Sequence, residues 1–377
     1  MRNFLVFIGA GASVPFGIPT MTGMVQQLEE RMNEQKNPPL NLDFVVNQKL
    51  YQDIKSRLKY YKDYDIESLI TVLQDMIDFE RIETRVLGNP SVHHFLAEGK
   101  GNDASKMVES LRLFSKENRE EAAKLLKQVQ NFVAESCNIR KKPFEIYTEF
   151  FHSVLMKQVG MNSFKELAHG ASHNTKKFNL IVFTTNYDCV LEAYCDTLRF
   201  EYDCGESTNQ KISIGKENTA LYSFDRDAFM IHKLHGSINW YRDENGRMCY
   251  ASQPARIGET MSLGRRVAKE LLIYPAYEKY TFREPFYQMF HYLKECLSTF
   301  YACYVVGYSF RDEDILGLFH NSMELNRNLS LYILDVNADS IGKKFSNFSE
   351  RVHTMAMPFS DEAARQLLWT GVPPRSF

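Results

Sequence analysis

Phe4-Leu5-Val6-Phe7-Ile8-Gly9-Ala10-Gly11-Ala12-Ser13 is the stretch that decides the fold class of this 377-residue chain. Phe4 to Ile8 is a short continuous apolar run rich in β-formers, and the glycines follow at once, so it reads as a buried strand feeding a tight turn. Four later runs share the pattern: Leu180–Thr184, Met230–Leu234, Tyr301–Val306 and Leu331–Leu334 are short, apolar and followed by polar or glycine-containing turns. Strands that lack polar alternation are buried on both faces, which predicts a parallel sheet covered by helices: an α/β, Rossmann-type fold.

Between about residues 24 and 175 the pattern changes. Ile66, Leu69, Ile70, Leu73, Met76 and Ile77 recur at helical spacing, as do Val108 and Leu111, and then Leu125, Val129 and Phe132. This predicts a large all-helical insert, interrupted by loops near Asn37-Pro38-Pro39, near Gly88-Asn89-Pro90 and at Gly99 to Asp103. The expected division is therefore a Rossmann-like domain over 1-24 and 176-377, with a helical module over 25-175. From about 200 to 265 the chain is loop-rich, and Asn245-Gly246 between Trp240-Tyr241 and Cys249-Tyr250 signals a hairpin in a small β excursion.

Composition narrows the function classes. The apolar share of 44% and charged share of 24% are those of a folded globular protein. A net charge of -2 gives no electrostatic drive toward nucleic acid, so no direct sequence-specific nucleic-acid binding is expected. The seven cysteines include no C-x-x-C pair, which suits buried thiols in a reducing cytoplasm. The apolar start is too short for a signal segment and no run reaches the ~18 apolar residues of a membrane span, so a cytoplasmic protein with no membrane association is expected.

The chemistry is concentrated at the ends of the expected strands. Gly9-x-Gly11 would let backbone N–H groups approach a pyrophosphate at the start of a helix. The dehydrogenase fingerprint, however, needs a third glycine where Val14 stands and a ribose-binding acid about twenty residues on, at the end of a second strand. Glu29 and Glu30 are near that distance but fall in a helical pattern, which disfavours an ordinary oxidoreductase. After the second apolar run comes Thr185-Asn186-Tyr187-Asp188, whose polar groups emerge where an open parallel sheet binds ligands. Asn and Asp there also suit a helix N-cap. His232-Lys233-Leu234-His235-Gly236-Ser237 follows the third run. The imidazole side chain as a class suits a general base near neutrality, which makes His235 the candidate base, while a histidine before a glycine is also a common structural residue. His232, pointing to the opposite strand face, reads as a packed side chain. Asp312, Glu313 and Asp314 are placed to line the site, but a solvated helix start is the reading preferred for them.

Taken together, Gly9 to Ser13 with Gly17-Ile18-Pro19, Thr185 to Asp188, Leu234 to Ser237, Val305 to Phe310 and Leu331 to Asn337 resemble, in order, the motifs of the sirtuin superfamily. The resemblance implies NAD as ligand and substrate. It implies catalytic roles for Asn186 and His235, and cofactor contacts from Gly9, Ala10, Gly11, Ser13, Pro19, Thr185, Asp188, Gly307, Ser309 and Asn337. Three departures separate the chain from sirtuin deacylases. It lacks the two C-x-x-C pairs of their zinc, so no metal is expected. Thr20-Met21-Thr22 replaces a D-F-R segment, and Ile273 to Lys279 replaces the stretch beside the acyl-lysine tunnel. The combination is similar to the sirtuin-like NADases of bacterial anti-phage defence. That similarity implies an NAD glycohydrolase that depletes NAD in abortive infection, a homo-oligomer, and a separately encoded partner, a HerA-type ATPase/helicase ahead of an Argonaute-like protein. The alternative it leaves is a catalytically silent NAD- or ADP-ribose-sensing module that regulates an oligomeric partner.

Overall fold

The computed structural model describes residues 2–34, 48–58, 65–77, 101–159, 178–198, 202–203, 229–251, 255–256, 258–261, 264–272 and 286–366. Its strands are β1 (Arg2–Ile8), β2 (Phe178–Thr184), β3 (Tyr202–Asp203), β4 (Phe229–Lys233), β5 (Gly236–Asp243), β6 (Met248–Tyr250), β7 (Val267–Leu272), β8 (Ala302–Val306), β9 (Ser330–Asp335) and β10 (Val352–Ala356). Its helices are α1 (Met21–Glu34), α2 (Gln48–Leu58), α3 (Ile66–Ile77), α4 (Gly101–Ser136), α5 (Glu145–Val159), α6 (Val190–Leu198), α7 (Phe286–Thr299), α8 (Glu313–Leu325), α9 (Ala338–Lys343) and α10 (Asp361–Gln366). Single 3-10 segments cover Ala10–Phe16 and Ser346–Arg351.

Seven strands form one sheet in the order β10-β9-β8-β1-β2-β4-β3, and every pairing in it is parallel. The order grows outward from β1 in both directions, through β2 and β4 on one side and β8 and β9 on the other. The chain therefore reverses between β1 and β8, which is the topological switch point where Rossmann-type sheets open a ligand crevice beyond the strand carboxyl ends. The α/β, Rossmann-type sheet with flanking helices and a large helical insert is thus present. Leu5, Phe7, Phe183, Val305 and Ile333 project from the sheet into one buried cluster with Leu293 of α7 and Phe319 and Met323 of α8.

Contacts divide the chain into two compact units. The first contains Met1–Ile18, Cys137–Ile273 and Tyr280–Phe377, and so includes the sheet and also α5, while the second contains Pro19–Ser136 and Tyr274–Lys279. In the second, Leu69 and Leu73 of α3 and Leu125, Val129 and Phe132 of α4 are buried at helical spacing. Asp65 starts α3 by accepting from the Ser68 N–H at 2.9 Å. The loop expected at Gly99 to Asp103 is not one throughout, because α4 already begins at Gly101; three polar or small residues there are tolerated in the first turn of a 36-residue helix whose apolar face lies further on. The other two expected loops, at residues 37–39 and 88–90, lie outside the described residues.

The second, antiparallel sheet runs β6-β5-β7. Trp240 pairs with Tyr250 across the hairpin, and Gly246 takes a left-handed φ of 73° at its tip. Asp243 Oδ1 closes the turn by accepting from the Asn245 and Arg247 N–H groups at 2.9 Å each.

Candidate functional site: the crevice at the strand carboxyl ends

The turn after β1 is locked to the turn after β8. Gly9 N–H donates to Val306 O and Gly11 N–H to Gly307 O, each at 2.9 Å. A Cβ on Gly9 would lie 2.5 Å from Gly307 O, and one on Gly11 would lie 2.8 Å from Gly307 Cα. The glycines are therefore required for two backbones to cross, and the Gly9 and Gly11 N–H groups are engaged by the neighbouring turn. Gly17 closes the 3-10 segment at φ 81°, donating its N–H to Ser13 O and Val14 O.

β2 delivers a buried polar cluster to the same place. Thr184 Oγ1 donates to Ile8 O at 2.9 Å and accepts from the Asn186 N–H at 3.0 Å, which binds the end of β2 to the end of β1. The Thr185 N–H also donates to Ile8 O at 3.2 Å. The Asn186 side-chain nitrogen then donates to Gly9 O at 3.0 Å and Ser13 Oγ at 2.9 Å. With the nitrogen so fixed, its amide oxygen is buried and has no hydrogen-bond partner among the described residues. Such an atom costs on the order of 1–3 kcal/mol unless something fills the site. Asp188 accepts from Ser13 Oγ at 2.7 Å and from the Val190 N–H at 3.0 Å, so it serves the cluster and starts α6 at once. Burial raises the Asp188 carboxyl above its usual range, against the opposing pull of Lys233, Ser13 and the Val190 N–H.

β4 places two side chains on either side of its own end. Lys233 is buried: its Nζ donates to Asp188 O, to Ser237 Oγ at 2.7 Å and to Glu192 Oε1 at 2.7 Å. Burial alone would lower the Lys233 pKa, but the Glu192 carboxylate, with Cys189 and Asp188, outweighs it and holds the ammonium above its ordinary value. Leu234 N–H donates to Thr184 O, and His235 then sits in the turn before β5, 3% exposed, with its ring centroid 6.5 Å from that of Tyr187. His235 Nε2 lies 3.6 Å from Asp312 Oδ2, with the two side chains 4% and 7% exposed. Because β2 and β1 lie between β4 and β8, that contact crosses three strand spacings, roughly 14 Å. The two turns thus reach over the ends of β1 and β2, where Asn186 stands.

His232 faces the core: it stacks on Phe183 at 4.8 Å and meets Tyr292 edge-on at 5.1 Å, and burial lowers its pKa to about 3. Cys189 offers no nucleophile at neutral pH, since burial pushes its thiol up to about 12.

The described structure joins Gly9, Gly11, Ser13, Asn186, Asp188 and Gly307 through direct contacts, with Ala10 within the same 3-10 segment. Ser309 and Asn337 are exposed at the exits of β8 and β9 and make no hydrogen bond to that cluster. Pro19 opens the second compact unit. Three further residues belong to the site. Lys233 is detectable as a charged side chain inside an apolar strand, and Glu192 as an acid within the apolar Val190–Cys195 run. Asp312 reads in sequence as a helix start with lining the site as its second reading, and the structure has both: its Oδ1 accepts from the Asp314 and Ile315 N–H groups, at 3.0 and 3.1 Å, and the same carboxylate is directed at His235. No group of three or more His, Cys, Asp and Glu suited to a metal ion occurs among the described residues.

A doubly wound parallel sheet with crossed glycine turns and a buried polar cluster at its switch point defines a Rossmann-type ligand-binding domain. The chain belongs to the family described as SIR2-like domain, whose model matches residues 180–368. Among solved structures it is similar to a Sir2 homologue mutant in complex with ADP-ribose, at 10% identity over 98% of this chain and 91% of that one, with a TM-score of 0.42. A Sir2 homologue triple mutant with 2'-O-acetyl ADP-ribose gives 11% identity, 98% and 91% coverage and a TM-score of 0.44. A Sir2 homologue–NAD complex gives 11%, 98% and 88%, and 0.42. No curated protein matches the chain.

Proposed function

We propose that this chain is an NAD glycohydrolase. Water cleaves the nicotinamide–ribose bond, giving nicotinamide, ADP-ribose and a proton. The observation that carries the reading is the Asn186 amide, whose nitrogen is tied to the glycine turn while its buried oxygen is left to meet a ligand. In this reading Gly9, Ala10, Gly11, Ser13, Pro19, Thr185, Asp188, Gly307, Ser309 and Asn337 contact the dinucleotide. The bond pair of the glycosidic C–N bond leaves with nicotinamide, which neutralises the pyridinium and builds oxocarbenium character on the ribose. Asn186 orients the water or a ribose hydroxyl beside the anomeric carbon. His235 takes the proton lost as water adds there, and passes it to solvent.

The sirtuin-family membership and the motif order support the substrate. The missing C-x-x-C pairs and the altered segment at Ile273 to Lys279 support water over an acyl-lysine as acceptor. The same reading makes the protein a cytoplasmic abortive-infection effector against phage, oligomeric through its helical insert and acting with a HerA-type ATPase. An effector that removes NAD must be silent until assembled, so basal turnover is low.

The test is chromatography of NAD incubated with purified protein, alone and with a HerA-type partner. Nicotinamide and ADP-ribose are expected in equal amounts, and Asn186→Ala or His235→Ala should lower the rate about hundredfold or more. NAD left intact under every condition overturns the reading. Saturable NAD binding with no product would instead favour a sensing module, a reading consistent with the internal hydrogen bonds that already occupy Ser13, Asp188 and the Asn186 nitrogen.

A further inference from the structure

We infer that Asp312 is a positioning residue for His235: an anion fixed by the start of α8 that orients the imidazole and stabilises its protonated form when it accepts a proton. The inference rests on the proposed reaction for its catalytic consequence, but the pairing itself is structural. The segment that carries Asp312 is held at four points. Gly307 takes φ 63° and presses against Gly11, where a Cβ would come within 2.7 Å of the Gly11 Cα. Phe310 adopts φ 52°, a conformation costly for a bulky side chain, and is kept there by ring contacts with Phe7, Tyr308, Phe319 and Phe345 at 4.9 to 6.5 Å. Lys344 Nζ donates to Ser309 O at 3.1 Å and Phe310 O at 2.8 Å. Asp312 Oδ1 then takes the first N–H groups of α8, which leaves Oδ2 directed at His235 Nε2.

A carboxylate needed only as a helix cap requires neither a strained aromatic residue two positions earlier nor a heading that brings it across two strand ends to a histidine. Strain persists where surrounding structure over-determines it, and here its result is the placement of one oxygen. A carboxylate 3.6 Å from Nε2 fixes the heading of the ring and gives the imidazolium formed on proton uptake a counter-charge. The other charged groups on the elements meeting at this turn include the exposed Arg311, Glu313 and Asp314 beside Asp312 and Lys344 against the Ser309 and Phe310 carbonyls, and on the His235 side Lys233 of β4, Glu192 of α6 and Asp188 of the β2–α6 turn. The last three are hydrogen-bonded to one another and to Ser13 and Ser237, so the substitution of Asp312 leaves them in place.

Asp312→Asn separates the two roles, because Asn caps a helix as well as Asp does but carries no charge; Asp312→Ser is a second cap-preserving variant. The imidazole of His235 is titrated by NMR in the full-length chain, assigned with His235→Gln. Thermal unfolding and nicotinamide release are measured on the same samples. The expected result is a His235 titration that falls in both variants relative to wild type, a melting temperature within a few degrees of wild type, and NAD cleavage down tenfold or more with little change in NAD binding. A titration that does not move overturns the pairing, whether or not NAD is cleaved. A titration that moves while cleavage is unchanged overturns the positioning role. A titration that falls in the variants while the wild-type protein cleaves no NAD removes the proposed reaction and leaves the pairing standing.

Discussion

Gly307 is the residue at which the crevice tolerates least. A Cβ added there would stand 2.3 Å from the Ala12 amide nitrogen, on a backbone already in the left-handed region. Neither atom can yield, since both belong to main chain that ties β1 to β8. Gly307→Ala is therefore expected to cost at least about 2–3 kcal/mol. Gly317, inside α8, has no heavy atom within 4 Å of an added Cβ. Its replacement by Ala removes backbone freedom from the unfolded chain and should gain up to about 1 kcal/mol. Urea unfolding of the two variants checks the contrast, and equal effects would mean that the turns do not cross as closely as described.

At the scale of elements, β4 is tied to the β2–α6 turn, to α6 and to the start of β5 through one buried cation, Lys233. Removing the Lys233 charge leaves Glu192 buried without its counter-ion, so Lys233→Met should destabilise by about 3–5 kcal/mol, while adding Glu192→Gln should recover much of that loss. The Lys233 pKa is raised on folding, so its contribution is complete below the ordinary lysine value and lost as pH rises through the folded one. A double-mutant cycle near pH 7.5 reads it in full, and simple additivity of the two changes would refute the coupling. The same strand illustrates what the sequence discloses. β1, β2, β4, β8 and β9 are visible because burial on both faces forces continuous apolar runs. β10 is an edge strand whose His353, Thr354 and Ala356 are exposed, so it carries no such run, and β3 is only two residues long. In the site, Asn186 and His235 stand out as polar groups just past apolar strands, where nothing about core packing calls for them. Asp312 is visible as an acid at a helix start placed to line the site, but its pairing with His235 has no local signal, because that contact joins turns 77 positions apart in a numbering that only the sheet order brings together.

At the scale of the whole molecule, each compact unit has its own buried core. In the second, Arg31 lies over the Phe132 ring at 5.0 Å and pairs with Glu135 at 3.2 Å, and Tyr51 and Lys55 both meet Glu29. In the first, the sheet core contains a histidine that is held neutral. His232 titrates at about 3 when folded, against an ordinary 6.5. Below the ordinary value the unfolded chain takes up a proton that the folded one refuses, so stability falls steadily as pH drops from about 6.5 toward the folded value. Between pH 6.5 and 4.5 that amounts to about 2–3 kcal/mol. His232→Phe keeps a ring against Phe183 and Tyr292 and abolishes the proton uptake. Calorimetry should therefore resolve two transitions in the wild-type chain, and at pH 4.5 the substitution should raise one of them while leaving the other unmoved. At pH 7.5 the same substitution should shift neither by more than the small packing difference between the rings. A variant that melts in parallel with wild type at both pH values would show that His232 is protonated in the folded core.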